Sequence, residues 1–476
     1  MTTLGSLLAA AGIDATLRPE QAAVPVTSVQ LDSRRCTPGA VFVCLPGTAT
    51  SGEAHVDDAL SRGAVCVVAA GAVPSAPIVV TVATASIRGA LAALSSAVVG
   101  DPASSLTLTG VTGTNGKTTV TWLVQGILSQ VGYTAATIGT LTGQRTTPMP
   151  PDLHRELRTI ADRAAGDARR GAVAMEVSSH ALDQGRVDGL RFDVAVFTNL
   201  SHEHLDYHGT MEAYFAAKAQ LFEPAHAAAA VVCVDDVWGR RLAAHGAVPT
   251  VAVAAPDATA TELDLGRTSF RWRGHDVASQ LTGAVNVTNA LLALHVADVL
   301  GVDDAEAARA IGRVAPVPGR LESVGGGGPR VLVDYAHTPV ALGRVLADLR
   351  AIRPSARLLV VFGCGGDRDR AKRSAMGAIA SASADEVIVT SDNPRGEDPA
   401  AIIDAILAGA NGPATLRREE DRAKAIAMAI DDASDADIVL VAGKGHETTQ
   451  EVAGTLVEFD DREVAAAALA ARSTRC

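Results

Sequence analysis

LTLTGVTGTNGKTTVTWLVQGILSQ, residues Leu106–Gln130, joins an apolar strand, a glycine-rich turn carrying Lys117, and an amphipathic helix. That order is the order of a phosphate cradle. A helix N-terminus turns unpaired N–H groups and the positive end of its dipole toward an anion. Gly113 and Gly116 let the backbone close around phosphate oxygens where a Cβ would clash. Thr114, Asn115 and Thr119 complete the turn, Lys117 has the reach for β- and γ-phosphates, and the Thr118 hydroxyl suits Mg²⁺. The spacing departs from the standard P-loop, because Val111 stands where its first glycine belongs and Gly110 comes one residue early. The GKT ending between strand and helix still predicts a nucleoside triphosphate site.

A chain of 476 residues has room for about three domains with cores of their own. With 48% hydrophobic and 20% charged residues it reads as globular, and its net charge of −12, without a long basic run, argues against a nucleic-acid surface. Cys36, Cys44, Cys66, Cys233, Cys364 and Cys476 form no C-x-x-C pair, which disfavours a disulfide framework or structural zinc. The N-terminal MTTLGSLLAAAGID lacks a basic n-region, and no apolar stretch is long enough to span a bilayer. The expectation is a soluble cytoplasmic protein.

Upstream of the cradle, four short apolar runs (VTSV, AVFVCL, AVCVVAA, APIVVTVA) alternate with loops, and a polar break at 100–105 marks a first boundary. Downstream, AVAMEVSSH and DVAVFTNLSHEH continue a strand-then-helix rhythm that implies a largely parallel sheet. A helix follows at 283–301, and the four glycines Gly325–Gly328 suggest a flexible turn at a second boundary. The last 150 residues hold four β-rich runs, VLVDYAH, LLVVFGCGGDRD, EVIVTSDNPR and IVLVAGKGHE, separated by helical stretches. They read as a doubly wound α/β domain whose polar strand ends gather Asp334, His337, Arg368, Asn393, Arg395, Lys444, His446 and Glu447 on one rim.

Three further features carry chemistry. Glu176 ends an apolar strand, either as a Mg²⁺-holding carboxylate like that of a Walker B strand or as a solvated terminus. TNLSHEHLDYHG crowds His202, His204, Asp206 and His208 without the spacing of a zinc site, and loop polarity is the rival reading. Lys218 sits in the apolar-rich MEAYFAAKAQLF, where a lysine must snorkel, pair or be modified. On these residues alone a ligase, a P-loop phosphotransferase or motor ATPase, and a silent scaffold all stay open.

Taken in order, TGTNGKTT, EVSSHALDQGRV, TNLSHEHLDYHG, AAKAQLF, NVTNA, PGRLE and DYAHTP resemble the Mur ligases, ATP-dependent amide-forming enzymes of peptidoglycan precursor synthesis, over essentially the whole chain. The resemblance implies an α/β protein of three domains. These are a UDP-substrate domain (1–102), a central P-loop ATPase-like parallel sheet (103–322), and a Rossmann-like amino-acid domain (323–476) that closes onto ATP with the glycine run near its hinge. It implies Thr118 and Glu176 on one Mg²⁺, and His204 with a carbamylated Lys218 on a second; Glu203 stands where relatives carry Asp. Asn286, Asn289, Arg320, Asp334 and His337 match ATP contacts. Ser28, Asp32, Ser33 and Arg34 match the uridine-nucleotide loop, and Thr146, Thr147, Ser178, Gln184 and Arg186 match residues that hold the muramoyl-dipeptide.

DSR, PGAVFV, RTTP, GCGGDRDRAKR, DNPR and GKGHE look like the branch that adds a diamino acid to UDP-N-acetylmuramoyl-L-alanyl-D-glutamate. There Arg395 and Arg368 would grip a second carboxylate and Glu447 an ammonium, with Asp392, Asn393, Pro394 and the Gly443 carbonyl around them. That favours meso-diaminopimelate; LL-diaminopimelate and L-lysine stay open, while DNPR and GKGHE disfavour the nearest rival, a folylpolyglutamate synthetase-like ligase. The partners implied are small molecules, with no nucleic acid and no membrane, and the chain is expected to be a monomer.

Overall fold

The computed structural model describes residues 2–47, 51–143, 145–167 and 169–474; Cys476 lies outside them. The chain forms two compact units, Met1–Ala255 with Leu291–Ala310, and Pro256–Ala290 with Ile311–Cys476.

The first unit contains two parallel sheets. The four apolar runs of the first hundred residues become Ser28–Gln30, Ala40–Val43, Ala64–Ala69 and Val79–Thr81, paired in chain order. The second sheet has six strands in the order Thr250–Val253, Ala227–Cys233, Phe192–Phe197, Leu106–Thr112, Gly171–Glu176 and Ala135–Ile138. All seven residues of Leu106–Thr112 are buried, as a parallel strand covered on both faces requires. Helix Lys117–Gln130 turns Val120, Leu123, Val124, Ile127 and Leu128 to the interior at helical spacing. Each such side chain contributes roughly 1.5–3 kcal/mol of burial. Arg35 reaches helix Pro150–Arg163 by a two-pronged ion pair to Asp152, at 2.6 and 3.0 Å.

In the second unit the doubly wound sheet runs Glu322–Val324, Arg330–Asp334, Ile438–Ala442, Leu358–Phe362, Glu386–Val389, Thr415–Arg418; only the first pair is antiparallel. Gly325–Gly328 is indeed a turn, but it closes a β-hairpin between two adjacent strands of one sheet within the second unit and does not mark a boundary. A three-stranded antiparallel sheet, Thr259–Asp264, Arg267–Trp272 and His275–Ser279, also belongs to this unit. Helices Arg422–Asp432 and Asp461–Ser473 are joined at their first residues by a fully buried ion pair, Arg422 Nη2 to Asp461 Oδ2 at 2.7 Å. The same guanidinium donates to the carbonyls of Ser391 (3.2 Å) and Ala442 (3.0 Å), at the carboxyl ends of two strands. The five described cysteines are buried free thiols, and no described helix is long and apolar enough to cross a membrane.

His154, on helix Pro150–Arg163, is 1% exposed, and neither ring nitrogen has a hydrogen-bond partner. Burial lowers its pKa from 6.5 to about 4. The native ring stays neutral where the unfolded ring already takes up a proton, so stability falls as pH drops from 6.5 toward 4. His154→Leu should flatten that slope. In urea titrations the variant should gain on its parent as pH falls, approaching a difference on the order of 3 kcal/mol near pH 4. Parallel pH profiles would contradict this.

Candidate active site

Strand Leu106–Thr112 lies between Phe192–Phe197 and Gly171–Glu176, where the strand order reverses direction. Ligands of α/β sheets bind beyond the carboxyl ends of the strands at such a point. The glycine-rich turn stands there, and the exit of the next strand shapes it. Asn115 N donates to Asn199 Oδ1 and Asn199 Nδ2 donates back to the Asn115 carbonyl, both at 3.0 Å. Thr114 N donates to the Asn199 carbonyl at 2.8 Å, and Thr198 Oγ1 to the Asn115 carbonyl at 2.6 Å. Gly113 has φ +144°, and a Cβ there would fall 1.9 Å from Thr198 Oγ1. Gly110 has a different reason to be glycine. Its Cβ would meet the Phe192 ring at 2.9 Å, so this early glycine serves sheet packing.

Glu176 is 1% exposed, which excludes the solvated-terminus reading. Its Oε1 accepts from Thr118 Oγ1 (3.1 Å) and Thr140 N (2.8 Å), whereas the buried Oε2 has no hydrogen-bond partner. A buried carboxylate oxygen without a donor is costly, and a divalent cation beside Thr118 would satisfy it. These two residues fit Mg²⁺.

Lys218 is also 1% exposed, so it does not snorkel. Its Nζ donates to the Gly113 carbonyl at 2.9 Å and stands 4.6 Å from the centre of the Tyr214 ring. Burial, reinforced by the charge of Lys117, pushes its pKa well below the ordinary lysine value. Tyr214 joins the pieces: its hydroxyl lies 3.2 Å from Thr114 Oγ1, and His204 meets its ring edge-on at 6.0 Å. His204 is itself solvent-exposed; partial desolvation lowers its pKa, with Lys117 and Lys218 adding to the effect. Of its neighbours, His208 is engaged by Ser179 Oγ at 2.9 Å, while His202 and Asp206 are exposed. No group of three or more His, Cys, Asp or Glu side chains among the described residues is arranged to hold a metal.

Four of the five residues matched to the muramoyl-dipeptide form one hydrogen-bonded cluster. Arg186 Nη1 donates to the Thr147 carbonyl (2.9 Å) and Nη2 to Gln184 Oε1 (2.7 Å), and Thr147 Oγ1 accepts from Ser178 N at 3.0 Å. Thr146 Oγ1 stands apart from it, 3.4 Å from Thr140 Oγ1. In the first sheet Asp32 caps a short 3₁₀ turn and pairs with Arg34 at 2.7 Å, Ser33 is buried, and the buried Ser28 Oγ lacks a partner.

In the second unit Asp334 accepts from Leu321 N (2.7 Å) and Ala336 N (2.8 Å), and burial raises its pKa despite Arg320. Arg320 stands over the Tyr335 ring at 4.5 Å, and His337 meets that ring edge-on. Asn289 Nδ2 donates to Asn286 Oδ1 at 2.8 Å. Asn393 Nδ2 donates to Glu447 Oε2 at 3.0 Å. Arg395 donates from Nη1 to the Gly366 carbonyl (2.9 Å) and pairs through Nε with Glu451 (3.2 Å). Asp392 is buried, and a Cβ on Gly443 would lie 3.1 Å from its Oδ2; a Cβ on Gly366 would fall 1.9 Å from the Pro394 carbonyl oxygen, and Arg368 is exposed. Asn199, Tyr214 and Glu451 were not anticipated. Only Asn199 had a signal, a polar residue following a buried strand beside the cradle.

The chain matches the Mur ligase middle domain over residues 111–297, the Mur ligase glutamate ligase domain over 319–445 and the Mur ligase family catalytic domain over 25–100. It is 44% identical to the UDP-N-acetylmuramoyl-L-alanyl-D-glutamate–2,6-diaminopimelate ligase of Xylella fastidiosa strain Temecula1, over 96% of each chain. It is also 44% identical to the ligase of that name from Synechococcus elongatus, over 99% of each. A solved structure of a ligase of that name aligns with a TM-score of 0.69 and 31% identity, covering 98% of this chain and 99% of the other.

Gly113→Ala should force the Thr198 contact apart and open the turn. Calorimetric titration with ATP should show affinity lowered by more than about tenfold with unchanged circular dichroism. Undiminished binding would contradict the cradle.

Proposed function

Because the chain belongs to the Mur ligase family, we propose that it joins meso-diaminopimelate to UDP-N-acetylmuramoyl-L-alanyl-D-glutamate at the expense of ATP. The observation that carries this reading over a phosphotransferase is the Asn393–Glu447 pair beside Arg395. An anion and a cation at one rim suit a zwitterionic amine and have no use in transfer to water or a hydroxyl. Relatives 44% identical over nearly the whole chain bear the corresponding name.

The turn amides and Lys117 hold the triphosphate and spread its charge. A carboxylate of the dipeptide, gripped by the Thr147, Ser178, Gln184 and Arg186 cluster, attacks the γ-phosphorus, and ADP leaves. The amine, having lost a proton, attacks the carbonyl carbon of the resulting acyl phosphate. C–N bond formation gives a tetrahedral intermediate, whose collapse breaks the C–O bond to phosphate, and the amide loses its remaining extra proton as inorganic phosphate leaves. Bound Mg²⁺ supplies charge neutralisation at the phosphates, with Thr118 and Glu176 as one set of holders and His204 with carbamylated Lys218 as the other. Burial favours the unprotonated form of the Lys218 amine, the form that adds CO₂ with release of a proton and so becomes a carboxylate-like ligand.

Asn286, Asn289, Arg320, Asp334 and His337 are assigned to ATP, and Ser28, Asp32, Ser33, Arg34 and Thr146 to the UDP-substrate. Residues 1–102, 103–322 and 323–476 are assigned to the UDP-substrate, ATP and amino acid in turn. We place the enzyme in the cytoplasm as a monomer. The Arg395 guanidinium favours diaminopimelate, whose second carboxylate L-lysine lacks.

With ATP, Mg²⁺ and the nucleotide-dipeptide, phosphate release should require meso-diaminopimelate and fall by at least about tenfold with L-lysine. Release indifferent to the amine would refute the ligase reading, and full turnover with lysine alone would refute the choice of amine. Lys218→Ala should lower kcat by more than about 100-fold with the fold intact. An unimpaired variant would remove Lys218 from the chemistry.

A further inference from the structure

Lys444 has 0% exposure, yet it sits among the loops that follow Glu386–Val389 and Ile438–Ala442. An ammonium has three N–H donors. Here they meet three acceptors: Asn393 Oδ1 at 3.2 Å, Glu447 Oε2 at 3.1 Å and the Thr449 carbonyl at 2.6 Å. The group is saturated and screened from solvent. It has no donor left for a ligand.

Its three contacts determine how the neighbouring groups face. Asn393 Oδ1 also accepts from Glu451 N at 2.9 Å, so the amide oxygen is fully engaged and Nδ2 is directed at Glu447 Oε2, 3.0 Å away. Both hydrogen bonds to the Glu447 carboxylate thus arrive at Oε2, and the side chain is 35% exposed. The hairpin Thr449–Val452 and Thr455–Glu458 is drawn into the same arrangement. Thr449 accepts from Lys444, and Arg395 N donates to the Glu451 carbonyl at 3.0 Å.

We propose that Lys444 is a positioning residue for the incoming amine: by holding Asn393 and Oε2 of Glu447 it presents Glu447 Oε1 to the ammonium of a zwitterionic ligand. The inference rests on the ligase reading above. Lys444 touches no substrate and acts through Glu447. Without it the Asn393 oxygen keeps only the Glu451 N–H, and the Glu447 carboxylate, left with the Asn393 amide as its one donor, is freer to rotate toward water.

The test is a double-mutant cycle of Lys444→Met and Glu447→Gln, with KM measured for meso-diaminopimelate, ATP and the nucleotide-dipeptide. Lys444→Met should raise the KM for the amine on the order of tenfold, leave the other two within about twofold, and add no further loss in the Glu447→Gln background. Should Lys444→Met fail to fold, Lys444→Gln, which keeps a donor, carries the same test and should show a smaller rise in the amine KM alone. An unmoved amine KM, three KM values rising together, or losses that multiply across the cycle would overturn the proposal. Wild-type turnover that ignores the amine would instead overturn the ligase reading beneath it.

Discussion

Two lysines converge on one carbonyl oxygen. Lys117 Nζ and Lys218 Nζ both donate to the oxygen of Gly113, at 3.0 and 2.9 Å. One lysine starts the helix after the turn, and the other comes from helix Met211–Ala219, about 100 residues later. Two ammonium groups so close repel, and the buried one yields: Lys218 is the amine whose pKa falls. The carbonyl they share exists in this orientation because Gly113 adopts a φ closed to other residues and because Thr198 occupies the space a side chain would need. Lys117, Lys218 and Thr198 thus all meet at one short turn, and the helix that follows it brings Thr118 to the buried Glu176.

The second unit solves a different problem, that of keeping polar loops in place at the end of a sheet. It does so with buried cations. Arg422 grips the carbonyls of Ser391 and Ala442 while paired with Asp461, and Lys444 grips Asn393, Glu447 and Thr449. Such charges are expensive to bury, and removing one partner of a buried pair costs about 3–5 kcal/mol. Their placement directly under the DNPR and GKGHE loops marks those loops as the part of the unit where geometry matters most.

Much of this was legible in the chain. Apolar runs located all four strands of the first sheet and the four central strands of the last, because a buried parallel strand cannot be written with polar residues. The P-loop was readable from its glycines and Lys117 between strand and helix; residue type alone left Glu176 open to a solvated terminus and Lys218 to snorkelling, and burial of both removes those readings. Long-range pairing was not legible. The sequence of TNLS does not say that Asn199 folds back onto Asn115, and nothing near Arg395 points to Glu451. The antiparallel sheet 259–279 escaped notice because its first strand is almost wholly exposed and lacks a continuous apolar run. The four glycines misled for the opposite reason: composition suggested freedom, while the strands on either side pair with each other and close them into a hairpin turn.

The central claim is that the γ-phosphoryl group goes to a carboxylate. Labelling the D-glutamate carboxylates of the nucleotide-dipeptide with ¹⁸O and analysing the released phosphate by mass spectrometry tests it directly. An acyl phosphate intermediate requires each turnover to carry one labelled oxygen from the carboxylate into inorganic phosphate. Phosphate free of label, with the amide product still formed, would contradict the account.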